Sequence, residues 1–406
     1  MPATTARLRS RRKRLAPLTP KRTGRLELSV VIPCLNEAEG IAVVVEKALQ
    51  TMRREGIYGE VIVVDNGSED GSPELAEAAG ARVVHERRRG YGSAYQAGFA
   101  AAHGTYILMG DADDTYDFTQ LDRFVAPLRR GADFVIGNRM KQIQPGAMPW
   151  LHRRIGNPLL TGILNLFFKT GVGDAHCGMR AFRRDLLPAF DLRASGMEFA
   201  SEQVIRAGKM GLKIREIEID YRPRIGESKL SSFSDGWRHL RFLLVHSPTW
   251  LFILPGAAIA TLGLLGVLVS LTGIELLGRE WQLHAMIASV AAVILGAQIL
   301  QIGAFSRAFA FYYLGERDPL IQKVRSRFRL EHGLGAGVVL VIAGAAVAGV
   351  VVAMWLGRGL GALQEERAAL VGLMLLVLGF QTIFGAFFIS ILGLRRRPDP
   401  VDADAA

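Results

Sequence analysis

The chain has only two cysteines, Cys34 and Cys177, which excludes a disulfide-stapled scaffold. Its first 25 positions hold no acid but nine bases: Arg7, Arg9, Arg11, Arg12, Lys13, Arg14, Lys21, Arg22 and Arg25. Four long windows, 248–274, 281–306, 333–357 and 368–394, lack Asp, Glu, Lys and Arg altogether. No apolar segment precedes residue 28, so no secretory signal peptide is expected. With 21% charged and 50% hydrophobic residues, a wholly disordered chain is excluded. A length of 406 residues suits two to three domains.

The net charge of +11 invites a nucleic-acid reading, but it has an address. Residues 26–245 carry 28 bases and 28 acids, and residues 246–406 carry 12 bases and 10 acids. The excess therefore sits in the tail 1–27, expected to be disordered. The folded region behind it is neutral and has no reader motif, so no nucleic acid is expected. The tail reads as a lipid-facing arm, each base worth about 1 kcal/mol near anionic head groups. The plainer alternative is a solvated arm with no partner.

Each charge-free window has at least 25 residues, and roughly 20 apolar residues cross a bilayer core as a helix. They predict four spans at about 250–273, 284–306, 335–357 and 369–393 within a membrane region 248–394. His284, Gln298 and Gln301 interrupt the second. The loop after it holds Arg307, Arg317, Lys323, Arg325, Arg327 and Arg329, and the tail 395–406 begins with Arg395, Arg396 and Arg397. The other two loops offer only Arg279, Arg358 and Arg367. The positive-inside rule then puts both termini and the N-terminal domain in the cytoplasm. Gly344, Ala345, Ala346, Ala348 and Gly349 crowd span three, which permits either tight packing within the bundle or a homo-oligomer.

The soluble domain alternates. Strands are expected at 28–33, 61–64, 81–85, 105–109 and 133–137, and helices at 39–54, 72–79, 93–103 and 118–129. Such alternation builds βαβ units and a mostly parallel sheet, whose ligands sit at the carboxyl ends of the strands. Asn36 and Glu37 follow the first strand, Asp65 the second, and Asp111 and Asp113 the fourth. Asp111 and Asp113 flank a small alanine, so two carboxylates can meet one hard cation. Mg²⁺ and Mn²⁺ take oxygen ligands and bridge diphosphates. A polar loop is the alternative reading of the pair.

Seven motifs occur in order: Pro33-Cys34-Leu35-Asn36-Glu37, Asp65-Asn66-Gly67-Ser68-Glu69-Asp70-Gly71, Gly90-Tyr91-Gly92-Ser93-Ala94, Asp111-Ala112-Asp113, Gly137-Asn138-Arg139, Asp174 with Cys177-Gly178-Met179-Arg180, and Arg224-Ile225-Gly226-Glu227-Ser228-Lys229-Leu230. Through them the chain resembles family 2 glycosyltransferases of the GT-A fold, of the polyprenyl-phosphate sugar synthase type. The resemblance covers residues 28–247. It implies an α/β GT-A domain with a Rossmann-like, mostly parallel sheet over 28–232, followed by an all-α transmembrane region of four helices.

The resemblance also implies roles. Pro33, Glu37 and Asp65 would line the nucleotide pocket. Asp111 and Asp113 would hold Mg²⁺ or Mn²⁺ on the diphosphate of a UDP- or GDP-linked sugar. Gly90 and Gly92 would let the backbone approach the donor sugar. Arg139, Arg224 and Lys229 would meet phosphate oxygens, a task for which the arginine fork is suited. Gly226 and Ser228 permit a turn that could close over the donor. Asp174 would face the acceptor side, orienting either the acceptor phosphate or an arginine; Glu202 is equally open. Other readings stand beside these: Asp65 as an Asx-turn or helix cap, Glu37 as a helix N-terminal acid, and Arg139 as the partner of a structural carboxylate. Arg87-Arg88-Arg89 reads as a solvated loop or as a neighbour of phosphate. The cysteines read as spectators.

Two absences refine the resemblance. Close relatives often have glutamine two residues after the second metal-site aspartate; Thr115 stands here, leaving the third metal ligand and the sugar open. A processive polysaccharide synthase should carry Q-x-x-R-W, and Arg206, Arg325 and Arg367 lack the tryptophan. The implied acceptor is a polyprenyl phosphate, an anion that needs no dedicated base, in keeping with motifs that lack a catalytic histidine. Another lipid acceptor, or a scaffold with a decayed transferase domain, is the remaining alternative. Residues 233–247, with Phe233, Trp237, Leu240 and Leu244 at helical spacing, suit an interfacial helix or an ordinary helix packed on the domain.

Overall fold

The computed structural model describes residues 25–225, 232–272, 283–313, 318, 321–323, 330–360, 362 and 364–394. The chain divides into two compact units, Met1–Leu243 and Leu244–Ala406.

The first unit is built on one seven-stranded sheet. Its strands are β1 (Leu28–Cys34), β2 (Gly59–Asp65), β3 (Arg82–His85), β4 (Tyr106–Met109), β5 (Phe134–Asn138), β6 (Arg180–Arg183) and β7 (Ile214–Glu218), in the order β3-β2-β1-β4-β6-β5-β7. β1 pairs in parallel with β2 and β4, which requires residues that tolerate burial on both faces. Its sequence LSVVIPC supplies them, with Leu28, Val30, Val31 and Ile32 fully buried. β6 is the exception in direction, antiparallel to both β4 and β5.

The helices are α1 (Ile41–Arg54), α2 (Ser72–Ala79), α3 (Tyr91–Ala101) and α4 (Asp122–Arg129), which meet the sheet, then α5 (Asn157–Phe168), the short α6 (Leu187–Phe190), α7 (Phe199–Lys209) and α8 (Ser232–Val245). In α1 the buried Ile41, Val44, Val45, Ala48 and Met52 recur at helical spacing and meet the sheet. The helix expected over 118–129 is two elements. A 3₁₀ turn, Phe118–Gln120, starts where Asp117 accepts a hydrogen bond from the Thr119 N–H at 3.0 Å, and α4 follows it. An aspartate that caps early turns the chain before the longer helix can begin.

The second unit holds α9 (Leu254–Thr272), α10 (Leu283–Tyr313), α11 (Leu330–Gly357) and α12 (Glu366–Leu394). All four are long and apolar enough to cross a membrane. Glycines seven residues apart line their contacts. A Cβ at Gly296 would come within 2.7 Å of the Gly256 carbonyl, and one at Gly263 within 2.7 Å of the Val293 nitrogen. A Cβ at Gly337 would lie 2.9 Å from the Gly379 carbonyl, and one at Gly344 2.8 Å from the Gly372 carbonyl. Small residues thus let α9 meet α10 and α11 meet α12 at backbone range. Gly344 serves packing within the chain, whereas Gly349 has nothing within 4 Å.

Candidate active site

Glu37, Asp65, Asp111, Asp113 and Arg224 come from the ends of β1, β2 and β4 and from the segment after β7. The main chain ties the last to the others: the Ile225 N–H donates to the Asp113 carbonyl at 3.0 Å, and the Arg222 N–H to that of Thr115 at 3.0 Å. This places Arg224 between two carboxylates. Its Nη2 donates to Glu37 Oε1 at 2.9 Å, and its Nε lies 3.4 Å from Asp113 Oδ2. Glu37 therefore spends its carboxylate on Arg224; its main-chain carbonyl accepts from Gly40 and Ile41 at the start of α1.

Asp111 and Asp113 are held by different neighbours. Asp111 Oδ1 accepts from the hydroxyls of Tyr91 at 3.0 Å and Tyr95 at 3.4 Å. Burial, with the Asp113 charge second, pushes its pKa up to about 7. Asp113 Oδ1 accepts from the Thr115 hydroxyl at 2.6 Å and from its N–H at 3.1 Å. Thr115, the residue that departs from the expected glutamine, is thus a positioning group for Asp113. Asp114 turns away with a left-handed φ of 57° and pairs with Lys47 at 2.6 Å.

The two carboxylates fit a hard divalent cation. Both supply oxygen, both are held, and burying one beside the other is unfavourable without a counter-charge. Among the described residues no third His, Cys, Asp or Glu joins them. That suits a cation whose remaining positions are filled by phosphate oxygens and water, the usual arrangement for Mg²⁺.

Asp65 is 6% exposed. Its Oδ1 accepts from the Ser68 N–H, three residues on, at 2.9 Å, and its Oδ2 lies 3.1 Å from His85 Nδ1. Burial acts to raise its pKa, but hydrogen bonds from Ser68 and His85 outweigh it and hold the carboxyl below its ordinary range. Pro33, one residue before the end of β1, lies beside Val64 of β2. Asn66, singled out only as part of a motif, organises the next loop. Its amide donates to the carbonyls of Glu86 and Arg88 at 2.9 Å each, and its Oδ1 accepts from the Gly90 N–H at 2.7 Å.

Gly90 and Gly92 make a close approach, but to protein. A Cβ at Gly90 would fall 2.3 Å from the Ser195 carbonyl, and one at Gly92 2.2 Å from that of Ala194. Glu202 supports the same strap, its carboxylate accepting from the N–H groups of Arg193 and Ala194 at 2.9–3.1 Å.

Arg139 and Asp174 form a buried bidentate pair. Nε donates to Oδ2 at 2.7 Å and Nη2 to Oδ1 at 2.9 Å, and Asp174 is fully buried. The guanidinium also reaches the Tyr116 hydroxyl at 3.3 Å and lies 5.1 Å from the Tyr221 ring. Burial would raise the Asp174 pKa, but the Arg139 charge outweighs it and holds the carboxyl below its ordinary range. Of the two readings of Asp174, orienting an arginine is the one found. Arg180, wholly buried, is satisfied by the carbonyls of Cys177 at 2.7 Å and Ala175 at 2.8 Å, and by that of Ala200. Cys34 and Cys177 are free and buried, with burial raising their pKa values to about 11 and about 12. Gly226, Ser228 and Lys229 lie outside the described residues.

Tyr91, Tyr95, Thr115, Tyr116 and Lys47 are the site's neighbours that sequence reasoning missed. Tyr91 and Tyr95 carry a signal: four residues apart on α3, they share a helix face. Thr115, met in the sequence only as a departure from glutamine, bonds Asp113 from two residues along the chain; Tyr116 and Lys47 depend on contacts across the fold.

A mostly parallel sheet whose strand ends present paired carboxylates and a guanidinium, in a chain that also carries apolar spans, defines a membrane-spanning enzyme of the GT-A-like class. Residues 29–190 match the model for glycosyl transferase family 2, and residues 304–393 match that for the family 2 C-terminal transmembrane region. The low-salt glycan biosynthesis hexosyltransferase Agl6 of Haloferax volcanii is 42% identical over 368 residues, 90% of this chain and 89% of that one. A dolichyl-phosphate hexose transferase of the same organism is 35% identical over 212 residues, 52% of this chain and 89% of that one. Glucosyl-3-phosphoglycerate synthase from Mycobacterium tuberculosis, solved with Mg²⁺ and UDP, aligns with a TM-score of 0.46 at 23% identity, over 55% of this chain and 80% of that one. The chain belongs to glycosyltransferase family 2.

Proposed function

We propose that the protein transfers a sugar from a UDP- or GDP-linked donor to a polyprenyl phosphate at the cytoplasmic membrane face. The observation that carries this reading is Arg224, set between Glu37 and Asp113 at the strand ends. In this reading Arg224 would meet the donor diphosphate, and Asp111 and Asp113 beside it would meet a metal. The name of the dolichyl-phosphate hexose transferase relative supports the acceptor class.

In this reading a phosphate oxygen of the acceptor attacks the anomeric carbon. The bond from that carbon to the donor diphosphate breaks, with inversion. The acceptor is already ionised at neutral pH, so no side chain need take a proton. Asp111 and Asp113 would hold Mg²⁺ or Mn²⁺, which supplies positive charge to the leaving diphosphate. Arg224 and Lys229 would add charge there, Ser228 would bind substrate next to Lys229 in the sequence, and Pro33, Glu37 and Asp65 would bound the nucleotide. Gly90 and Gly92 keep the donor wall in place through the Ala194–Ser195 strap. Arg139, fixed by Asp174, faces the acceptor phosphate.

The same reading divides the chain into a lipid-facing tail (1–27), a catalytic domain (28–232), an interfacial helix (233–247), four spans (248–394) and a tail (395–406). The basic loops put both termini and the catalytic domain in the cytoplasm.

The test incubates membranes carrying the full chain with labelled UDP-glucose or GDP-mannose and an added polyprenyl phosphate. Label should enter the organic phase as a mild-acid-labile product. Label in a polymer would point instead to a processive synthase. Asp113→Ala should lower transfer by about 100-fold or more; undiminished transfer by that variant would remove the metal role.

A further inference from the structure

The segment from Trp150 to Phe168 carries an apolar face that the protein leaves open. One helical turn, His152–Gly156, runs directly into α5. Along it Leu151, Ile155, Leu159, Gly162 and Leu166 are all exposed, and their spacing of three and four residues puts them on one side. Leu159 is 58% exposed and Trp150, at the start of the stripe, 67%. The other side is the packed one: Thr161 and Leu164 are buried, and Ile163, Phe167 and Phe168 lie against the domain core. A helix apolar on both sides needs a second apolar environment.

Charge identifies that environment. Between Asp133 and Asp174 the sequence has no acid, while Arg153 and Arg154 adjoin the start of the stripe and Lys169 closes it. Arg154 and Lys169 are exposed. An apolar face with tryptophan at one end, basic residues at both ends and no acid matches the surface of an anionic bilayer. The chain also has four helices able to cross a membrane, so a bilayer is always tethered to this domain at high effective concentration. The geometry points to α5 and the turn before it as a lipid-docking element, which lies in the head-group layer of an anionic membrane. This inference concerns the surface alone and stands whichever sugar acceptor is used.

The test places a single reactive cysteine at Leu159 or Leu166. Both native thiols are buried and stay unlabelled. The full-length L159C and L166C proteins, carrying an environment-sensitive fluorophore, are reconstituted into phosphatidylcholine–phosphatidylglycerol vesicles. Doxyl-labelled lipid should quench both positions at least twofold more than aqueous iodide does. A label at Val43→Cys, on an exposed position of α1, should show the reverse order. Iodide quenching at Leu159 and Leu166 equal to that at Val43 would overturn the proposal. Protection from both quenchers would overturn it too, because a protein surface would then be the cover.

Discussion

Asp111 is a carboxylic acid whose pKa burial raises to about 7. A divalent cation requires its ionised form. With a pKa of about 7 Asp111 is largely protonated at pH 6, so under the proposed metal role cation binding would release a proton. Titrating Mn²⁺ with UDP at pH 6 in buffers of different ionisation enthalpy should reveal that release. Affinity should rise as pH rises through about 7, and Asp111→Asn should abolish the release; buffer-independent heats would refute the role. The Arg139–Asp174 pair makes a different prediction. Both groups are buried, so removing one partner strands the other charge, at a cost of roughly 3–5 kcal/mol. Asp174→Ala should lower the unfolding midpoint of the catalytic domain sharply, as read by hydrogen exchange across β5 and β6. The carboxylates of the site were legible in the sequence because each follows an apolar strand. The partner of Arg139 was not: Asp174 is 35 residues away, and only the pairing of β5 with β6 brings them together.

At the scale of elements, β7 escaped notice because its IREIE is charged rather than apolar, while β1 to β5 were legible as short apolar runs between turn residues. β6 was not. Its direction depends on insertion between β4 and β5, which no local pattern records. The glycines of the Gly90-Tyr91-Gly92 motif were legible as places of close approach, but their neighbour was not. Gly92→Ala should destabilise the domain by about 1–3 kcal/mol, because the facing atom is the Ala194 carbonyl rather than a flexible side chain. Chemical denaturation would measure it, and an unchanged midpoint would mean that the strap moves freely. The membrane helices give a matched pair. Gly344→Leu should weaken the contact between α11 and α12 and lower the thermal midpoint in micelles. Gly349→Leu, with open space around it, should not. Equal effects would show that the glycine stripe is not the packing face.

For the whole molecule, the asymmetry of Lys and Arg sets the expected topology. A cysteine at Gln364 should react with an impermeant maleimide added to intact cells, whereas one at Lys323 should react only after permeabilisation. The opposite pattern would reverse the orientation and take the catalytic domain out of the cytoplasm. The sequence by itself determined the class of fold, the four spans and the carboxylates of the site, because these follow from periodicity, length and residues adjacent along the chain. Only the tertiary structure decided which groups meet: Arg224 with Glu37 and Asp113, Arg139 with Asp174, and Tyr91 and Tyr95 with Asp111. It also decided which apolar face of α5 stays open. Those outcomes depend on strand order and on packing between distant segments, where the energy of a side chain is set by what surrounds it.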